Sequence, residues 1–407
     1  MSQTGTESLG AGQRPFRRRV FYIPGYDPFH PRRYRELYRT EAAAQAGISG
    51  YDLGLTPKTT AGPYGWHVTA RIGGAASVAD VEVLVWADLV KSSMRRGILA
   101  TYAQMLRTAG IYLGSGALFA LMRLRKGPMI AALYPVVFLV GQLALALLAG
   151  WGLGRLIGQV HWALGMAAGA AMVWALLDLF RRWDNRVFAY YLMHDYAYSA
   201  QFGGANPPEL EARMAVFRDQ IGAALGAGYD EVLVVGHSSG AHLAVSILAD
   251  LIRGGGANGA PLGFLSLGQV VPMVSFLPKA GRLRADLAYL CQRAEVTWVD
   301  VTAPGDGCAF ALCDPVSVTG VAPATGKRWP LVVSAAFTQT LSAQRWKALR
   351  WRFFRLHFQY LCAFDRPRDY DYFQITAGPL TLAQRFAGRA PSKSRIETPV
   401  NRYRDLS

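Results

Sequence analysis

At 407 residues, 52% hydrophobic and 17% charged, the chain is longer than one simple domain and more apolar than an ordinary soluble protein. Lys and Arg number 43 against 27 acidic residues, a net +16, which allows nucleic acid, an anionic membrane surface or acidic substrates as partners. There is no zinc-finger spacing, single-strand-binding aromatic motif or dense Lys/Arg block, and many arginines flank apolar segments. Nucleic acid is therefore excluded and a membrane surface retained. Cys291, Cys308, Cys313 and Cys362 form no CxxC pair and no histidine cluster, so neither metal nor a disulfide framework is expected and the compartment reads as reducing, a Cys308–Cys313 pair being the minor alternative.

Residues 1–16 have no apolar run, hence no secretory signal, and read as a loose tail. Residues 17–100 open with a β-rich run, Val20 to Ile23, closed by Pro24-Gly25. HPRRYRELYRTEAAAQAG then has helical composition and a Gly stop. YGWHVTARIGG alternates like an edge or antiparallel strand, and VEVLVWADLV reads as one continuous buried strand of the parallel type.

Residues 101–186 leave globular composition. IYLGSGALFALM is apolar but short, which predicts a helix lying in the interface. PMIAALYPVVFLVGQLALALLAGWGLG carries no charge and is long enough to span a bilayer, and WALGMAAGAAMVWALLDLF adds about 19 residues with Asp178 near its end. Arg123, Arg125 and Lys126 precede this pair, Arg181, Arg182 and Arg186 follow it, and only Arg155 sits near the turn. The basic residues on both flanks place both halves of the chain, and both termini, on the cytoplasmic side. Gly165, Ala167, Ala168, Gly169, Ala170 and Ala171 would let the two helices approach closely.

Residues 187–387 alternate helix and strand: PPELEARMAVFRDQIGAALGAG, EVLVVG, AHLAVSILADLIRGGG, GFLSLGQVV, GRLRADLAYLCQRA, EVTWVDV and WPLVVSAAF. The expected fold class is α/β, a mostly parallel sheet with helices on both faces. Neither half supplies enough strands alone, so 17–100 and 187–387 are expected to form one discontinuous domain interrupted by a two-helix transmembrane hairpin. Residues 388–407 are polar and aperiodic and read as a flexible tail.

The strand EVLVVG ends in Gly236-His237-Ser238-Ser239-Gly240 with a helix directly behind it, a G-x-S-x-G pattern at a strand–turn–helix junction. The turn is too tight for side chains at its glycines, and it pushes the serine outward. This elbow resembles that of lipases, esterases and thioesterases of the α/β-hydrolase superfamily, and the resemblance extends over most of residues 17 to 387 apart from the hairpin. It implies Ser238 as nucleophile. It also implies an oxyanion loop at Pro24-Gly25-Tyr26-Asp27-Pro28, whose Gly25 or Tyr26 N–H would act with that of Ser239, although the loop lacks the HGGG form. The acid is expected after a late strand, where Asp306 leads, Asp314 is the rival and Asp300 sits on the strand itself. His357 alone among seven histidines follows the candidate acids, as the order Ser, Asp, His requires. His237 and His242 read as structural.

The resemblance implies acyl transfer through an acyl-enzyme, with no metal or organic cofactor. Membrane lipids and a small acyl-ester or lipidic substrate are the expected partners. The alternative is an inactive protein of the same fold that binds a lipid or protein partner.

Overall fold

The computed structural model describes residues 14–407, so the first thirteen residues of the expected N-terminal tail lie outside it. Eight strands form one sheet in the order β2-β3-β4-β1-β5-β6-β7-β8. They are β1 (Phe16–Ile23), β2 (Asp52–Pro57), β3 (Gly65–Ile72), β4 (Ala75–Val83), β5 (Glu231–His237), β6 (Leu262–Leu267), β7 (Val296–Thr302) and β8 (Leu331–Ser334). From β4 to β8 every pairing is parallel, and β2 and β3 add an antiparallel edge. β1 is the seam between the halves of the chain, Val20 standing opposite Val81 on β4 and Leu233 on β5. Beside it the buried Arg18 bonds Glu231 at 2.6 Å, tying the first strand to the far half.

Alternate residues feed two separate cores, as a sheet covered on both faces requires. Phe21, Val232, Val234, Phe264 and Trp298 face α9 (Pro208–Leu225), α10 (Ser239–Arg253) and the helix Gly281–Leu290. Val20, Tyr22, Leu233, Leu265 and Val299 face α1 (Arg32–Ser49) and the helix Tyr372–Ala377.

Three local readings need correction. VEVLVWADLV is not one strand: β4 stops at Val83 and α2 (Ala87–Met94) follows. Its partner β1 has run out there, and the Trp86 indole donates to the Pro24 carbonyl at 2.9 Å, turning the chain under the first loop. β2 went unnoticed because Gly54 and Pro57 mask its short alternation of Leu53 and Leu55. Residues 388–407 do not hang free: Ile396 and Cys313 form a β-bridge, Asn401 is buried and donates to the Ser275 carbonyl at 3.1 Å, and Arg284 holds Asp405 at 2.8 Å. Isolated polar anchors of this kind leave no periodic pattern.

The insertion comprises α3 (Ile98–Gly114), α4 (Ala117–Leu124), α5 (Lys126–Gly158), α6 (Trp162–Arg182), α7 (Asp184–Val187) and α8 (Ala189–Ala200). α5 and α6 are long and apolar enough to cross a membrane; α3 and α4 meet at 73° and are not one straight crossing. The break falls where Gly116 takes φ +74°. IYLGSGALFALM is thus divided between the end of α3 and α4, and the start of α3 packs on the hairpin: Ile98 lies with Ala146 and Leu177, and the Tyr102 hydroxyl donates to the Leu139 carbonyl at 3.0 Å. The two long helices touch through glycine. A Cβ at Gly165 would lie 2.6 Å from Gly158 Cα, and one at Gly150 would lie 2.7 Å from the Gly169 carbonyl oxygen.

Candidate active site

Ser238 joins β5 to α10 with φ 55° and ψ −121°, an uncommon conformation for a residue with a side chain. The neighbours explain how it is held. A Cβ at Gly236 would sit 2.8 Å from Ala241 Cα, and one at Gly240 would run into the Ile23 carbonyl. A Cβ at Gly25 would reach 2.9 Å from Ser238 Cβ and 3.4 Å from its Oγ. The first loop therefore lies directly against the serine, and only glycine permits that approach. Ser238 is half-buried, whereas Ser239 is buried. Among the described residues the backbone N–H groups of Gly25, Tyr26 and Ser239 have no backbone or side-chain acceptor outside regular structure, so they remain available as donors.

His357 closes the short helix Phe353–His357 and reaches the end of β6, where a Cβ at Gly268 (φ +53°) would be 3.1 Å from its Cε1. Gly268 follows Leu267, whose carbonyl accepts the Ser238 N–H at 2.9 Å, so imidazole and serine occupy adjacent strand ends. No hydrogen bond joins Ser238 Oγ to His357. On its other side His357 Nδ1 meets Asp306 Oδ2 at 2.7 Å. Asp306 also accepts from the Cys308 N–H at 2.9 Å and the Tyr360 hydroxyl at 3.0 Å. Burial pushes its carboxyl up, but the His357 charge and these hydrogen bonds outweigh burial and hold it below the ordinary carboxylate range.

The rival acids are otherwise engaged. Asp314 caps the helix Pro315–Thr319, accepting from the Val316 and Ser317 N–H groups at 3.0 Å each, and pairs with Lys327. Asp300, on β7, accepts from Ser266 Oγ at 2.6 Å, and burial pushes its carboxyl up to about 8. His237, within the elbow, bonds the His357 carbonyl through Nε2 at 3.0 Å, and burial pushes it down to about 3. It is therefore neutral and a donor to that carbonyl, which fixes the backbone of the other imidazole.

Asp306, Cys308 and His357 bring one ligand atom each within 4.8 Å of one another, the only such trio among the described residues. His357 Nδ1 and Asp306 Oδ2 are bonded to each other, and burial holds the Cys308 thiol well above its ordinary range.

Tyr360 and α8 were not singled out from sequence. Tyr360 sits three residues after His357, one turn on, and anchors Asp306 while accepting from the Ala303 N–H at 3.0 Å. α8 covers the first loop: the Tyr191 hydroxyl donates to the Tyr26 carbonyl, and Tyr191 and Phe188 pack on Phe354 beside His357. At the other leg of the hairpin, a Cβ on Gly127 would lie 3.2 Å from Gly307 Cα, next to Asp306. The hairpin is thus rooted against the loops that bear Asp306 and the Gly25 and Tyr26 N–H groups. No family model, curated protein or solved structure matches this chain. Its chemistry has to be read from this geometry alone.

Proposed function

We propose that this protein is a membrane-anchored serine hydrolase of α/β-hydrolase type that cleaves acyl esters, lipidic ones foremost, through Ser238, His357 and Asp306. The observation that carries the reading is the conjunction of a conformationally strained serine at a strand–helix elbow with a buried imidazole–carboxylate pair of 2.7 Å at the adjacent strand end. A binding scaffold has no need of either.

In this reading His357 takes the Ser238 proton as the serine oxygen bonds the ester carbonyl carbon. The N–H groups of Ser239 and of Gly25 or Tyr26 receive the resulting oxyanion. Collapse breaks the ester bond, His357 hands its proton to the departing alcohol, and water then releases the acid by the same steps in reverse order. Asp306 fixes the imidazole tautomer and stabilises its charged form, and Tyr360 and the Cys308 N–H keep that carboxylate in place. The Ser238–His357 hydrogen bond forms with substrate bound, as such contacts commonly tighten only then. Two apolar helices rooted at the site favour substrates drawn from the bilayer, and the basic brackets favour a cytoplasmic active site.

Turnover of medium-chain acyl esters by the full chain in detergent or liposomes tests the proposal. Activity is expected in the wild type, with loss in Ser238→Ala and a fall on the order of 10³- to 10⁴-fold in kcat for Asp306→Asn, whose tautomer is wrong. Activity equal in wild type and Ser238→Ala contradicts it, and a complete lack of activity favours a binding role.

A further inference from the structure

A small cavity of about 20 Å³ lies beside the first loop, walled by Tyr26, Asp195, Tyr198, Asn206, Ser239 and His242. That volume admits one water-sized group. Two of its walls carry buried, unanswered polarity, and a third, Asp195, faces it while still partly exposed. The Tyr198 hydroxyl and His242 Nδ1 are buried without a hydrogen-bond partner, their residues being 9% and 8% exposed. The Asp195 carboxylate makes neither a hydrogen bond nor an ion pair among the described residues, the nearby His357 charge notwithstanding. Burial pushes its carboxyl up to about 7. Two buried polar groups without partners, beside a carboxylate, suit the cavity to a polar guest.

The position suggests which guest. Tyr26 and Ser239, two of its walls, also supply N–H groups that would face an acyl carbonyl, so the cavity borders the candidate oxyanion site. An open groove of about 760 Å³ shares Ala205, Asn206 and Pro207 with the cavity and so lies against it. We infer that the cavity binds a free hydroxyl of the substrate, making the preferred substrate class the monoacyl esters of a diol or polyol. A hydroxyl accepts from Tyr198 and donates to Asp195 or to His242 Nδ1, whereas a simple alkyl ester leaves the buried Tyr198 and His242 groups unpaired. In the reaction the hydroxyl-bearing alcohol is the leaving group: its ester C–O bond breaks, and it departs with the proton taken from Ser238.

This rests on the hydrolase reading and is tested with two probes of equal acyl chain, glycerol monooleate and propyl oleate, on the full chain in detergent micelles. The glycerol ester is expected to be favoured in kcat/KM by on the order of 10- to 100-fold, the range for leaving a buried polar site unanswered. Tyr198→Phe and Asp195→Leu are expected to narrow that ratio by lowering the glycerol ester more than the propyl ester, and Asp195→Asn to retain part of it. Equal kcat/KM for the two esters in active wild type overturns the inference and leaves the cavity a structural-water site only. Turnover of neither ester while a fluorophosphonate still labels Ser238 also overturns it. Absence of both turnover and labelling removes the hydrolase reading and this inference with it, a failure the intact labelling of the previous case sets apart.

Discussion

Ser238 keeps its uncommon backbone conformation because Gly25, Gly236 and Gly240 carry no side chain, and Asp306 holds the His357 imidazole through Nδ1. Tyr360 contributes through Asp306: removing its hydroxyl in Tyr360→Phe takes away one donor to the carboxylate, and kcat is expected to drop about tenfold, for a loss of about 1–2 kcal/mol, with KM little changed. A drop confined to KM would place Tyr360 elsewhere than behind the acid. Asp300 offers a test that is independent of catalysis. Its carboxyl titrates near an ordinary 3.8 when unfolded and is raised to about 8 when folded. The folded state thus keeps a proton that the unfolded state releases, and this contribution to stability is lost as pH rises from about 4 to 8. Asp300→Asn cannot lose it, so the melting temperature of the variant minus that of the wild type is expected to climb across that window. A difference flat with pH would mean that Asp300 is ionised in its buried site.

Between residues and molecule stand two assemblies held by glycine, and they should respond differently to a methyl group. At the elbow, Gly25→Ala places a Cβ 2.9 Å from Ser238 Cβ, so the first loop must retreat from the serine. Activity and fluorophosphonate labelling are expected to fall at least tenfold, while the thermal stability of the sheet changes little. In the hairpin, Gly169→Leu wedges apart helices whose backbones are in contact, since even a Cβ there would be 2.8 Å from the Gly150 carbonyl oxygen. Loss of stability in detergent is expected first, with activity following only because the legs of the hairpin root at Gly307 and Tyr26. Unchanged stability would show that the helices do not meet through this face. Length agrees with a crossing: the 21 residues of α6 rise about 31 Å, close to a hydrocarbon core, and tryptophans stand at both ends, Trp162 and Trp183.

Across the molecule, legibility in the sequence followed the range of the interaction. The downstream alternation of strands and helices, the two long apolar helices and the elbow are local patterns and stand where the sequence puts them, whereas VEVLVWADLV divides into β4 and α2. The juxtaposition of Asp306 with His357, 51 residues apart, followed from chain order once the elbow had been recognised. What stayed hidden depends on long-range contact without pattern: β2, the docked segment 388–407, the support from Tyr360, and the way α8 brings Asp195 and Tyr191 over the first loop. Orientation in the bilayer has its own check. A cysteine introduced at Gly158, near the turn of the hairpin, is expected to react with an impermeant thiol reagent from outside intact cells, and one at Ser407 only after permeabilisation; the reverse would invert the topology. The central claim concerns one hydroxyl, and mass mapping of a fluorophosphonate adduct on the full-length protein tests it most directly. The adduct is expected on Ser238 alone, absent in Ser238→Ala and strongly reduced in His357→Ala; an adduct on another residue, or one indifferent to His357, would contradict the account.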